Sequence, residues 1–231
     1  MTRDADATRP TAERAGGRRL LLWPGVALIL VGVCLLGYVG WEFWGTTWVS
    51  HRHRDQALSQ IEREWARPET GSGAVRTRWG DAVAIIRIPR FGSAYAVPVF
   101  EGTSDDVLAT GFGHFDNAAP PGEVGNFAVA AHRITHGDPL RRMPDLKIGD
   151  EVIVQTRTTT FTYRLTTPGS GLVVPFTARW VTDPLPANPD GGVEPAQAPG
   201  QRLITLTTCS ELFHTDNRSV SFGVLEKKVA S

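Results

Sequence analysis

Residues 202–220 read RLITLTTCSELFHTDNRSV, and the alternation in this stretch decides the fold class. Side chains on a strand point to opposite faces in turn, so Ile204 and Leu206 share one face and Thr205, Thr207 and Cys209 share the other. Cys209, one of only 2 cysteines in 231 residues, thus stands on the hydroxyl-lined side of a strand end. Arg218 opens another strand after 8 intervening residues. A hairpin would bring the two to neighbouring strand ends, with the guanidinium able to face the thiol. The bland alternatives are an inert buried cysteine and an arginine in a surface ion pair.

Working outward, further short strands with turn signals between them are expected at 82–88, 95–100, 126–132, 150–156, 160–165 and 218–225. Helical turns fit 105–110 and 139–145. The 167–201 stretch, which includes DPLPANPDGGVEPAQAPG, is a long Pro/Gly-rich loop of the kind that often carries function. Many short strands and few helices imply an all-β sandwich or barrel. Lys+Arg and Asp+Glu balance at 24 each, so no global field points to nucleic acid.

The N-terminal part has a different texture. Residues 1–19 are polar, mixed in charge and without an apolar period, as in a disordered tail. Leu20–Trp41 then runs without a charge over about 33 Å of helix, enough for a bilayer core of about 30 Å. Trp23 lies near one end, and Tyr38, Trp41, Trp44 and Trp48 near the other, as interfacial aromatics do. The run is long for a signal peptide and no A-x-A-like cleavage site follows. Cys34 follows Val33 rather than a small residue, which disfavours lipid attachment. Arg14, Arg18 and Arg19 place the tail in the cytoplasm; His51, Arg52, His53 and Arg54 on the other side weaken that bias without reversing it. The expected organisation is a cytoplasmic tail at 1–19, a transmembrane helix at 20–44, a helical stalk and linker at 45–80, and a β-domain at 81–231. The stalk's apolar stripe is Val49, Ala57, Leu58, Ile61 and Trp65, and Gly, Pro and Ser at 66–80 end it.

Thiols outside the membrane are usually paired, yet Cys34 falls in the span, so Cys209 has no partner in its own domain. That suggests a reactive thiol or an intermolecular disulfide. A thiol nucleophile needs a proton acceptor, and His132 in GNFAVAAHRITHGDPL is the best placed of 6 histidines. Alternation sets Ala128, Ala130 and His132 on one face and Phe127 and Val129 on the other, so His132 ends a strand on a face kept open by small residues. His132 and His136 are also spaced like a helical zinc pair, but no Glu follows His132 and a Gly-Asp-Pro turn opposes a helix. His114 reads as a turn residue, His214 as a loop residue beside the thiol, and His51 and His53 as a solvated face.

Together, TLTTC, the following Arg218 and the upstream AHRITHG resemble a sortase, the cysteine transpeptidase of Gram-positive cell surfaces. The similarity extends over IRIPRFGSAYAVPVFEGT and PPGEVGNFAVAAHR, hence over 81–226, and is greatest to class E. The resemblance implies a closed eight-stranded β-barrel, with Cys209 ending the seventh strand and Arg218 opening the eighth. It implies that Cys209 attacks the Thr–Gly carbonyl of an LPXTG- or LAXTG-like sorting signal to form a thioester. Arg218 would hold the oxyanion or substrate backbone, and His132 would protonate the leaving amine and deprotonate the incoming one. Thr207, Thr208, Thr135 and His136 are the expected substrate-binding residues. The implied partners are secreted proteins with C-terminal sorting signals and an amine of a cell-wall precursor; no metal or organic cofactor is expected.

Two residues depart from the family's pattern. Glu211 stands where many relatives have Pro, and His136 stands where class E members commonly carry a Tyr associated with Ala over Pro in the motif. Two rivals compete with the sortase reading. One is another cell-wall thiol transpeptidase or peptidase, whose His and Cys usually lie close together in sequence; the other is a non-catalytic anchored binding module with an inert Cys209. Ordinary thiols titrate near about 8.5 and imidazoles near about 6.5, so both groups are expected to start neutral with a minority ion pair.

Overall fold

The computed structural model describes residues 16–41, 45–68, 73–210 and 216–231. Trp44, Glu211, His214 and residues 1–15 of the expected tail lie outside the described residues. The chain divides into two compact units, Met1–Glu42 and Phe43–Ser231.

The first unit contains helix α1, Gly16–Gly40. Its Trp23–Gly40 segment is long and apolar enough to cross a membrane, and none of it is buried against protein.

The second unit begins with helix α2, Thr46–Trp65, which buries Ser50, Arg54, Ala57 and Ile61 along one stripe. Spacings of four and three residues keep these side chains on one helical face. Ala57 and Ile61 pack with Val75, Ala82, Ile85, Phe100 and Val107, so the helix is a packed part of the β-domain. The stripe holds two polar residues that the apolar pattern alone leaves out.

Among the described residues ten strands follow: β1 Val75–Thr77, β2 Gly80–Arg87, β3 Val97–Glu101, β4 Phe112–His114, β5 Gly125–Ala130, β6 Glu151–Gln155, β7 Thr159–Leu165, β8 Leu172–Pro175, β9 Arg202–Cys209 and β10 Asn217–Ala230. Eight of them close a ring in the order β2-β3-β4-β5-β9-β10-β7-β6, sealed by pairing of β6 back onto β2. The closed eight-stranded barrel is as expected, and its pairing is mixed: β3–β4 and β5–β9 are parallel and the other ring pairs antiparallel. β1 and β8 are additions, β1 beside β2 and β8 beside the first half of β10. A single short turn, helix α3 at Asp105–Leu108, links β3 to β4.

The interior is apolar, and β9 and β5 feed it through the residues alternation assigned: Ile204 and Leu206 from one, Phe127 and Val129 from the other. On the outer face, Thr205 donates to Oδ1 of Asn126 at 2.8 Å, and Nδ2 of Asn126 donates to the carbonyls of Val181 and Asp183, each at 3.1 Å. This buried network ties β5 and β9 to the 3-10 turn at Arg179–Thr182. Thr205→Val keeps the shape but leaves Asn126 Oδ1 without its donor, at a cost of about 1–3 kcal/mol. Urea unfolding should show a lower midpoint at unchanged slope.

Three segments differ from expectation because short, ladder-held strands carry little periodicity. Val75–Thr77 within the presumed linker pairs with β2. Leu172–Pro175 within the presumed long loop pairs with β10. His114 lies on β4, where its ring contacts Glu101 Oε2 at 2.9 Å and the Ala119 carbonyl at 3.2 Å.

Candidate active site

Three chain segments meet at one end of the barrel's outer face. β5 and β9 run parallel with Ala130 beside Thr207, so the residues that follow each strand emerge side by side. The backbone N–H of Ala131 donates to the Thr207 carbonyl at 3.2 Å, and Thr208 Oγ1 donates to the Ala131 carbonyl at 2.7 Å. These bonds hold His132 next to the end of β9. On the other side β10 is antiparallel to β9, with Arg218 directly opposite Cys209. Cross-strand partners share a face, so the guanidinium-bearing side chain stands on the thiol's side of the sheet.

His132, Cys209 and Arg218 line one cavity of about 580 Å³, and Thr207 and Thr208 contribute to the same wall. Another part of the lining comes from the 167–201 stretch: Val174 and Phe176 at the end of β8, and Val181 and Pro184 at the 3-10 turn. β8 holds that part in register with the site, since Val174 is the ladder partner of Arg218. The long stretch is therefore partly structured and lines the cavity. Thr135 and His136 lie on the turn after His132 and are not among the lining residues. The His136 ring instead stacks on His132, with centroids 5.0 Å apart and planes 29° apart.

Cys209 is half-buried and carries no disulfide. Burial pushes the His132 imidazole down to about 4, with His136 and Arg218 adding to the effect and the Asp105 carboxylate opposing it. The imidazole is therefore neutral at neutral pH and able to accept a proton. No cluster of three or more His, Cys, Asp or Glu side chains suited to a metal occurs among the described residues.

Arg133, next to His132, was not singled out from the sequence. Its Nη1 donates to the carbonyls of Cys209, at 3.4 Å, and of Ser210. The HR dipeptide thus turns one residue toward the cavity and uses the next to tie the two strand ends together. The sequence signal was the adjacency itself.

Residues 86–226 match the Sortase domain family. The chain belongs to the sortase family. Sortases are cysteine transpeptidases, and relatives of class E are prominent among those similar to this one. The chain is 32% identical over 231 residues to Sortase SrtE1 of Streptomyces coelicolor, an alignment covering 96% of this sortase and 60% of that protein. This sortase therefore spans less than two thirds of that relative's length. The structure of sortase E from Streptomyces avermitilis superposes with a TM-score of 0.56 at 37% identity, covering 67% of this chain and 93% of that one. Sortase E1 from Streptomyces coelicolor, solved with a tripeptide in its active site, gives a TM-score of 0.56 at 28% identity, with coverages of 68% and 94%.

Proposed function

We propose that this sortase is a membrane-anchored transpeptidase that cleaves an LAXTG- or LPXTG-like sorting signal between Thr and Gly and passes the protein to a cell-wall amine. The convergence of Cys209, His132 and Arg218 on one cavity carries this reading. A tripeptide sits in the active site of the Streptomyces coelicolor relative, and the cavity here offers Val174, Phe176, Val181 and Pro184 as apolar surface for a peptide.

In the first half-reaction neutral His132 takes the Cys209 proton as Sγ bonds to the Thr carbonyl carbon. The carbonyl electrons move onto oxygen, where Arg218 supplies positive charge. The intermediate collapses with loss of the C–N bond, and the imidazolium gives its proton to the departing Gly amine, leaving a thioester. An imidazolium that titrates near 4 is a strong acid for this step. The same low value makes thiol deprotonation the uphill step. In the second half-reaction an amine attacks the thioester, His132 receives its surplus proton and returns it to the leaving thiolate.

α1 is proposed to span the membrane, with its Arg-bearing N-terminal side in the cytoplasm and the barrel outside. Secreted proteins with C-terminal sorting signals and a cell-wall precursor amine are the proposed partners. No metal or organic cofactor has a step in this reaction.

The test uses the full chain in detergent micelles with LAXTG and LPXTG peptide libraries and a glycine amide acceptor. Intact-mass and peptide mapping should find an acyl adduct on Cys209 that the acceptor discharges. Cleavage of neither library, or an adduct on another residue, sinks the assignment.

A further inference from the structure

The segment after His132 makes a turn with three successive residues in left-handed backbone. His136 and Asp138 adopt left-handed backbone angles, φ 54° and 37°, on either side of Gly137 at φ 73°. Non-glycine residues are uncommon in that region, although His and Asp enter it more readily than most. The Nδ1 atom of His136 is also buried without a hydrogen-bond partner among the described residues. Within the turn, the N–H of Asp138 donates to the Thr135 carbonyl at 3.1 Å and that of Leu140 to the His132 carbonyl at 3.0 Å, and further support comes from outside it.

Two anchors are visible. Tyr95 donates its hydroxyl proton to the Pro139 carbonyl at 2.9 Å, securing the turn's far end. The other anchor comes from α2. Arg54, only 7% exposed, donates from Nη2 to the Gly137 carbonyl at 2.8 Å. Glycine is required at its partner position: a Cβ on Gly137 would stand 2.7 Å from Arg54 Nη2 and 3.2 Å from the Ser50 side chain, besides straining φ.

A buried arginine is an expensive way to join a helix to a loop. One and two turns further along α2, Ala57 and Ile61 make the equivalent packing with apolar side chains. The Arg54 Nε has no hydrogen-bond partner among the described residues, so the cost is not fully offset there. Asp138, tied to Arg141 at 2.9 Å, and Asp55 are the nearby carboxylates that favour its charge.

We propose that Arg54 is a positioning residue for the His132 segment: from α2 it fixes the 136–138 turn through the Gly137 carbonyl and so holds the His136 ring against His132 beside Cys209. The inference rests on the transpeptidase reading for its activity readout. The helix that follows the apolar span is, on this view, a working part of the catalytic unit rather than a spacer.

The experiment compares the full chain in detergent micelles with its Arg54→Met, Arg54→Lys and Arg52→Met variants. Peptide cleavage kinetics and thermal unfolding are measured on each. Arg52 is an exposed residue on the same helix, stacked on Trp48, and its replacement should leave kinetics unchanged. Arg54→Met should lower kcat about 10- to 100-fold with KM within about twofold, because misplacement of a catalytic group acts on the chemical step. Arg54→Lys, which keeps a cationic donor, should recover at least part of that loss. Wild-type kcat in a folded Arg54→Met chain overturns the proposal while leaving the transpeptidase reading intact. Equal losses in Met and Lys variants that track a fall in melting temperature also overturn it, since a purely structural role behaves that way. If Arg54→Met does not fold, Arg54→Gln carries the same comparison. A wild-type chain that cleaves no sorting peptide instead defeats the functional reading itself.

Discussion

Cys209→Ala should form no acyl adduct with a sorting-signal peptide, and cleavage should fall by at least about a thousandfold, to background. The reason lies in what else the cavity offers. Thr207 and Thr208 are the neighbouring hydroxyls, but an unactivated hydroxyl is a weak nucleophile, and Thr208 already spends its proton on the Ala131 carbonyl. Peptide affinity should change little, because the apolar wall of Val174, Phe176 and Val181 is untouched. Titration with a fluorescent sorting peptide separates the two effects. Retained cleavage in this variant would falsify the assignment of the nucleophile.

His132→Gln should lower kcat/KM by about 10²- to 10⁴-fold, the usual worth of a positioned acid–base group. Two pH signatures accompany it. In the wild-type chain the acid limb of kcat/KM should lie near pH 4 instead of 6.5, because the neutral ring is the proton acceptor and burial keeps it neutral. Stability should carry the same mark. Between the folded value of about 4 and the unfolded value of 6.5 the unfolded chain binds more protons, so stability falls as pH falls through that window. The loss approaches about 3 kcal/mol near pH 4. His53, also lowered by burial, adds a smaller contribution of the same sign. Asp150, held low chiefly by its hydrogen bond to Arg90, loses its contribution only below 3.8, outside this window. Denaturation of the wild type and His132→Gln at pH 7, 5.5 and 4.5 should show the slope flattened in the variant, and equal slopes would show that His132 is not the buried titrating group.

The faces of β5 and β9 were legible because period-two alternation is unbroken in both: Phe127, Val129, Ile204 and Leu206 enter the core as read. The Cys209–Arg218 pairing followed from strand ends and gap length, and the ladder register agrees. Closure of the barrel came from family resemblance, since no local pattern shows that β6 returns to β2 across more than sixty intervening residues. What escaped was carried by polar groups with distant partners. Arg54 interrupts an apolar stripe and reads as solvent-facing until Gly137 is seen beneath it. Asn126 and Thr205 are unremarkable polar residues until Asn126 is seen bonded to the 179–183 turn and Thr205 bonded to Asn126, both out of water. β8 sits in a Pro/Gly-rich stretch whose composition hides four residues of strand.

The burial of Ser50, Arg54, Ala57 and Ile61 also bears on how the protein should be produced. The Gly- and Ser-bearing stretch at 66–80 looks like the natural place to trim the chain for soluble expression. A chain begun there would expose Val75, Ala82, Ile85, Phe100 and Val107 to water, an apolar patch that invites aggregation. The better starting point is near residue 45, where α1 has ended and α2 is kept whole.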